Sequence, residues 1–186
     1  MARDIEVLVD ERKLKGIERM LAGIPRALPK VVTRALNKTA TGARAETVRE
    51  IAAQVIIKQA EIRRNIVLKR ASWRYWVASL RIKGRRIPLI AFRARQTKRG
   101  ATYQIARTGG RKKLPHAFLA TMPSGHKMVA KRKGMARLPI RELRGPSVVG
   151  VFEGTRGLAA RLLGKANRRL AVEINRQIAV LLEKGR

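Results

Sequence analysis

Between Ile62 and Arg141 the chain carries 23 Lys/Arg and not one Asp or Glu. A stretch of that length cannot neutralise itself by internal ion pairs. Its side chains must face water and counterions, or an anionic partner. The flanks are closer to ordinary, with 12 basic and 8 acidic residues in 1–61, and 9 and 4 in 142–186. The formal charge of +32 is therefore concentrated in one region. An apolar fraction of 45% argues against a disordered basic tail. The 186 residues suit one domain with a modest core. No cysteine is present, which excludes disulfides, a thiol nucleophile and a Cys-type zinc site. No apolar run of about 18 residues occurs, and the first residues lack the apolar segment of a signal peptide. The expectation is a soluble, structured, strongly basic protein made in the cytoplasm.

Apolar spacing divides the chain. From Arg26 to Ala53, positions such as Val32, Leu36, Ala40, Ala43 and Ile51 recur at helical intervals, with Pro25 and Pro29 suited to the helix start. Gly42 weakens the middle of that helix by roughly 1 kcal/mol relative to Ala. Lys58 to Val67, with Ile62 and Ile66 at i, i+4, predicts a second helix. Ile5, Val7 and Val9 hint at a strand, and Leu14, Ile17, Met20 and Leu21 at a helix. In the centre Trp76, Ala78, Leu80 and Ile82 alternate with more polar positions, as in a half-buried strand. Pro88 to Arg95, Ala101 to Ala106, Ala117 to Met122 and Lys127 to Lys131 read as further strands, with turns at Gly100, Gly109-Gly110 and Gly125. Leu158, Leu162, Leu163, Ala166, Leu170, Ile174, Ile178 and Leu181 then form a long helical stripe. The fold class is α+β: a long N-terminal helix, a central twisted antiparallel sheet with basic loops, and a long C-terminal helix packed on the sheet. Its single domain, 1–186, comprises a mainly helical arm (1–67), a basic β region (72–141) and the C-terminal helix (151–183).

An enzyme reading finds little support. His116 and His126 have no carboxylate near them in sequence, and two imidazoles do not make a metal site. The run from Gly157 to Ala166 has the wrong spacing for a phosphate loop, and Gly164 reads as a close-packing position on a helix. Neither catalytic, cofactor-binding nor metal-binding residues are assigned.

The basic block offers polyanion contacts instead. On a strand, Arg93 and Arg95 would share one face, and Lys98 and Arg99 sit at a turn. Arg107, Arg111, Lys112 and Lys113 flank the Gly-Gly pair, and Lys131, Arg132 and Lys133 precede Gly134. Such clusters neutralise phosphates without reading bases, and an acidic protein surface would satisfy the same charge. Trp73, Tyr75 and Trp76 could stack on unpaired bases, but core or interface anchoring is the simpler reading. Spacings of a helix-turn-helix or zinc finger do not occur.

Several segments in order carry a resemblance. They are Arg34-Ala35-Leu36-Asn37-Lys38-Thr39-Ala40, Arg86-Ile87-Pro88-Leu89-Ile90-Ala91-Phe92, Leu114-Pro115-His116-Ala117-Phe118-Leu119-Ala120, Ser124-Gly125-His126 and Leu138-Pro139-Ile140-Arg141-Glu142-Leu143-Arg144-Gly145-Pro146-Ser147-Val148. Together they resemble the minor tail protein Z family of tailed phages and prophages, over roughly Val31 to Leu182. The resemblance implies a structural virion protein that completes the tail at its head-proximal end, in the neck where tail joins head. It implies a homo-oligomeric ring, hexameric by similarity to related neck proteins. Its partners would be the tail terminator, the head connector and the double-stranded DNA terminus, with no membrane and no cofactor. The apolar-rich segment Leu138, Pro139, Ile140, Glu142 and Leu143 reads equally as a connector within one subunit's core or as the candidate subunit interface, where Glu142 would face a neighbour's basic block. The competing reading is a general nucleic-acid-binding protein of ribosomal or nucleoid type, which accounts for the charge but not for the ordered resemblance.

Overall fold

Strand β1 (Arg3–Leu8) and helix α1 (Glu11–Met20) precede a 28-residue helix, α2 (Ala27–Gln54). The computed structural model describes residues 3–22, 24 and 26–184, so Pro25 lies outside the described residues. Pro29 is the third residue of α2, within the first turn, where its missing N–H forfeits no helical hydrogen bond. The chain divides into two compact units. A helix–sheet unit comprises Ala2–Thr47, Ile66–Ile82 and Thr155–Arg186, and a hairpin unit comprises Val48–Asn65 and Lys83–Gly154.

In the helix–sheet unit, β3 (Val77–Ile82) lies between β1 and β2 (Ile66–Lys69), antiparallel to both. The expected alternation places Ala78, Leu80 and Ile82 in the core, with Val7 opposite Ala78 and Ile66 opposite Ile82. Val31, Val32, Ala35, Leu36, Ala40 and Ala43 of α2 are buried as well. The last helix, α5 (Leu158–Lys184), buries Leu158, Leu162, Ala166, Leu170, Ile174 and Ile178, every fourth residue. Four-residue steps overshoot a full turn by about 40°, so this stripe winds around the helix along its length. Gly42 has a specific use here: the Arg169 guanidinium lies where a Cβ would sit and reaches Glu46 at 2.7 Å. Gly164, by contrast, has open space where its Cβ would be, so it is not a packing position.

The hairpin unit takes the end of α2, a short helix α3 (Gln59–Arg64), and eight short strands. β4 (Arg86–Pro88) pairs with β11 (Arg144–Ser147). β5 (Arg95–Thr97), β6 (Gly100–Tyr103) and β7 (Lys112–Pro115) form one meander. β8 (Ala117–Thr121), β9 (Lys127–Arg132) and β10 (Ile140–Glu142) form another. Helix α4 (Val148–Gly154) follows β11 and buries Val148, Val149 and Phe152. The α+β class holds, with the β region built as several small antiparallel sheets.

Four local expectations need correction. The helix expected from Lys58 to Val67 stops at Arg64: Asn65 caps it, donating from Nδ2 to Glu61 O at 2.8 Å, and Ile66 and Val67 enter β2. β-branched residues with a strand to pair against are better placed there. The strand expected from Pro88 to Arg95 is a 3₁₀ turn at Leu89–Ala91 followed by a tight reversal, with Arg93 at φ 49°. Leu89 and Phe92 are buried three residues apart, the 3₁₀ period rather than the strand period. Arg93 and Arg95 therefore do not share a strand face. The long C-terminal helix starts at Leu158 rather than at 151: residues 151–154 belong to α4, and Gly157, at φ 71°, lies between the two. Finally, Trp73 and Tyr75 are not core residues: 56% and 76% of their surface is exposed.

Candidate polyanion interface

The eleven candidate cations fall into three environments. Lys98 and Arg99 form the β5–β6 turn, and Lys131 and Arg132 end β9. These four line one groove of about 980 Å³, together with His116 at the β7–β8 corner and the apolar side chains of Ala117, Phe118 and Met135. No carboxylate lines it. Gly100 makes the turn possible: at φ 134° it brings its backbone against the Leu114 carbonyl, where any Cβ would collide. Its carbonyl accepts from Thr97 Oγ1 at 2.7 Å and from Gln96 Nε2 at 3.1 Å. Gln96 Oε1 in turn accepts the Leu119 amide at 2.8 Å, which joins the two meanders. The Arg132 guanidinium lies 5.9 Å from the Phe118 ring centroid, at the edge of cation–π range. Lys133 follows in the exposed loop after β9.

A second group is engaged with the chain itself. Arg107 donates from Nε to Ala52 O at 2.7 Å, and its backbone N–H donates to Gln54 O at 2.9 Å. It thereby satisfies carbonyls that the last turn of α2 leaves unpaired. Arg111 donates from Nη2 to Arg93 O at 2.8 Å and to Thr102 Oγ1 at 3.1 Å. Arg93 and Arg107 also line a groove of about 640 Å³ with Lys58, His126 and Lys127. The third group, Arg95, Lys112 and Lys113, sits on β5 and β7 with exposed side chains.

Position in sequence concealed one constellation. His126 has no acid near it along the chain, but β10 brings Glu142 to it, with Nε2 and Oε1 3.0 Å apart. Arg144 donates to the other carboxylate oxygen from Nη2 at 2.8 Å and from Nε at 3.1 Å. Burial pushes the Glu142 carboxyl up, but the hydrogen bonds from His126 and Arg144 outweigh it and hold its pKa below the ordinary glutamate value. Both oxygens are thus occupied within the chain. Nothing along the chain signals this pair, and even the strand register sets Glu142 opposite Ala130, four residues from His126.

Of the candidate interface residues, Leu138 is 67% exposed and Pro139 is exposed, whereas Ile140 and Leu143 are half-buried. Met135, in the same β9–β10 connection, is fully exposed. Among the described residues no group of three or more His, Cys, Asp or Glu comes together to hold a metal ion. No described helix is long and apolar enough to cross a membrane.

A family model described as prophage minor tail protein Z matches residues 14–184. No curated protein and no solved structure matches the chain.

Proposed function

The chain belongs to the prophage minor tail protein Z family, and from that premise we propose that it completes the tail at the head-proximal end as a ring, of six subunits by our reading. Membership makes it a minor structural protein of the phage tail, and so a component of the virion. The observation that carries the finer reading is the groove between the Lys98–Arg99 and Lys131–Arg132 tips, which gathers four cations and no acid. A surface of this kind suits the acidic connector, the entering DNA end, or both in turn. A ring would multiply modest contacts into strong retention. Subunits would meet through the β9–β10 connection, where Met135 and Leu138 protrude into solvent. The role is structural and non-enzymatic.

The test is a deletion phage complemented with variants. Without the protein, tails should reach full length but fail to join heads productively under the electron microscope. Leu138→Asp should prevent ring formation of the purified protein. Removing the four groove cations together should abolish rescue and lower the salt slope of DNA binding by roughly four, one per lost phosphate contact. Normal head joining in the deletion strain would overturn the proposal.

A further inference from the structure

The corner between β2 and β3 is the most exposed aromatic feature of the molecule, and its residues are held rigidly. Ser72 N–H donates to Tyr75 O at 2.9 Å, Tyr75 N–H to Ser72 Oγ at 3.2 Å, and Trp76 Nε1 to Trp73 O at 3.1 Å. The corner is also clasped to α2. Asn37 donates from Nδ2 to Ala71 O at 3.0 Å and accepts the Ala71 amide at 2.8 Å, while Thr33 Oγ1 donates to Ser72 O at 3.3 Å. The clasp buries Ala71, but Trp73 and Tyr75 are left in water, where their rings add nothing to the core.

The surroundings are cationic. Lys69, Arg70 and Arg74 flank the rings, all exposed. Arg70 also lines a groove of about 690 Å³ together with Arg34 and Lys38 of α2 and Arg169 of α5. One carboxylate lines this groove, Glu173, whose Oε2 lies 3.8 Å from Arg176 Nη1, and Arg169 is engaged by Glu46 at 2.7 Å.

We propose that the Trp73–Tyr75 corner and the adjoining groove bind single-stranded nucleic acid. Unpaired bases would stack on the two rings, and the phosphates would run over Arg70 into the groove. A cationic track beside an aromatic platform is what such binding requires. A duplex keeps its base faces stacked on one another and cannot use the rings. The site belongs to the helix–sheet unit and does not rest on the tail-completion reading.

The experiment uses the full chain, whose only two tryptophans are Trp73 and Trp76, so its intrinsic emission reports on this corner. A (dT)₁₂ oligonucleotide, a duplex of equal length and inorganic polyphosphate are titrated separately. The oligonucleotide should quench the emission and polyphosphate should not. Trp73→Ala with Tyr75→Ala should weaken (dT)₁₂ binding about 10- to 100-fold, followed by anisotropy of a labelled strand, and leave duplex affinity unchanged. Trp73→Phe should restore most of the loss. The proposal is overturned if (dT)₁₂ quenches no more than polyphosphate, or if the double variant binds it as well as the parent. It is equally overturned if the double variant loses self-association while keeping oligonucleotide affinity, which makes the corner a subunit contact. Normal tail joining by the deletion phage would leave this result untouched.

Discussion

Both units pair acids with arginines, but the hairpin unit has far fewer acids for its cations. In the helix–sheet unit, acids are spent on particular arginines: Asp4 faces Arg81 at 2.8 Å and Glu46 holds Arg169 at 2.7 Å. In the hairpin unit, Glu142 gathers His126 and Arg144, while Arg107 and Arg111 turn to backbone carbonyls. A region short of carboxylates thus uses peptide oxygens as substitutes. For Arg107 and Arg111 the backbone acceptors are neutral, and each such bond orders a loop rather than cancelling a charge. The hairpin unit therefore keeps its excess charge on surfaces that its own cations help to stiffen.

Core construction differs as well, and substitutions can break the contrast. The largest effect should come from Phe92→Ala. This ring is fully buried in a unit built of short strands, and its loss should cost about 3–5 kcal/mol in urea denaturation. Gly145→Ala should follow, at about 1–3 kcal/mol, because its Cβ would lie 2.6 Å from the Phe92 ring, which has nowhere to move. Asn37→Ala in the helix–sheet unit should cost about 1–3 kcal/mol, since it removes both hydrogen bonds of the clasp on Ala71. Tryptophan emission should shift to the red in the same variant. Gly42→Ala should fall within about 1 kcal/mol of neutral. The improved helix propensity offsets the displaced Arg169–Glu46 pair, whose guanidinium is the free end of a flexible side chain.

The smallest effect concerns pH. The folded-state pKa of Glu142 lies below its unfolded value. Its contribution is therefore present above the unfolded value and is lost as pH falls through the folded one. Glu142→Gln should flatten the acid limb of the stability curve and leave the neutral limb lower. An unchanged acid limb would mean that the carboxylate contributes nothing through ionisation. Asp4 is displaced in the same direction, first by its hydrogen bond to Arg81, but the pair stands in solvent. Asp4→Asn should accordingly change the curve less.

The legible parts of the fold were those governed by local period. The stripes of α2 and α5 and the alternation in β3 each follow from spacing alone, and Gly100 and Gly125 marked true turns. Where long-range pairing decided the outcome, local pattern misled. Ile66 fits a helix with Ile62 until Ile82 is known to lie beside it. The segment after Pro88 fits a strand until Phe92 is found buried against Gly145. The candidate site shows the same split. Turn residues and cation runs located Lys98, Arg99, Lys131 and Arg132, but nothing along the chain says that they meet at one groove. Nor could spacing tell that Arg107 and Arg111 reach carbonyls, or that Glu142 comes to His126.

Gln96 acts as a gauge bar. With its amide nitrogen on Gly100 O and its carbonyl oxygen on the Leu119 amide, it spans the two meanders whose ends bear the groove's paired cations. The separation of those charged tips is consequently set before any partner arrives. On the proposed reading, a frame of fixed gauge would discriminate by how far apart an anion's charges stand, and would be indifferent to how many more it carries.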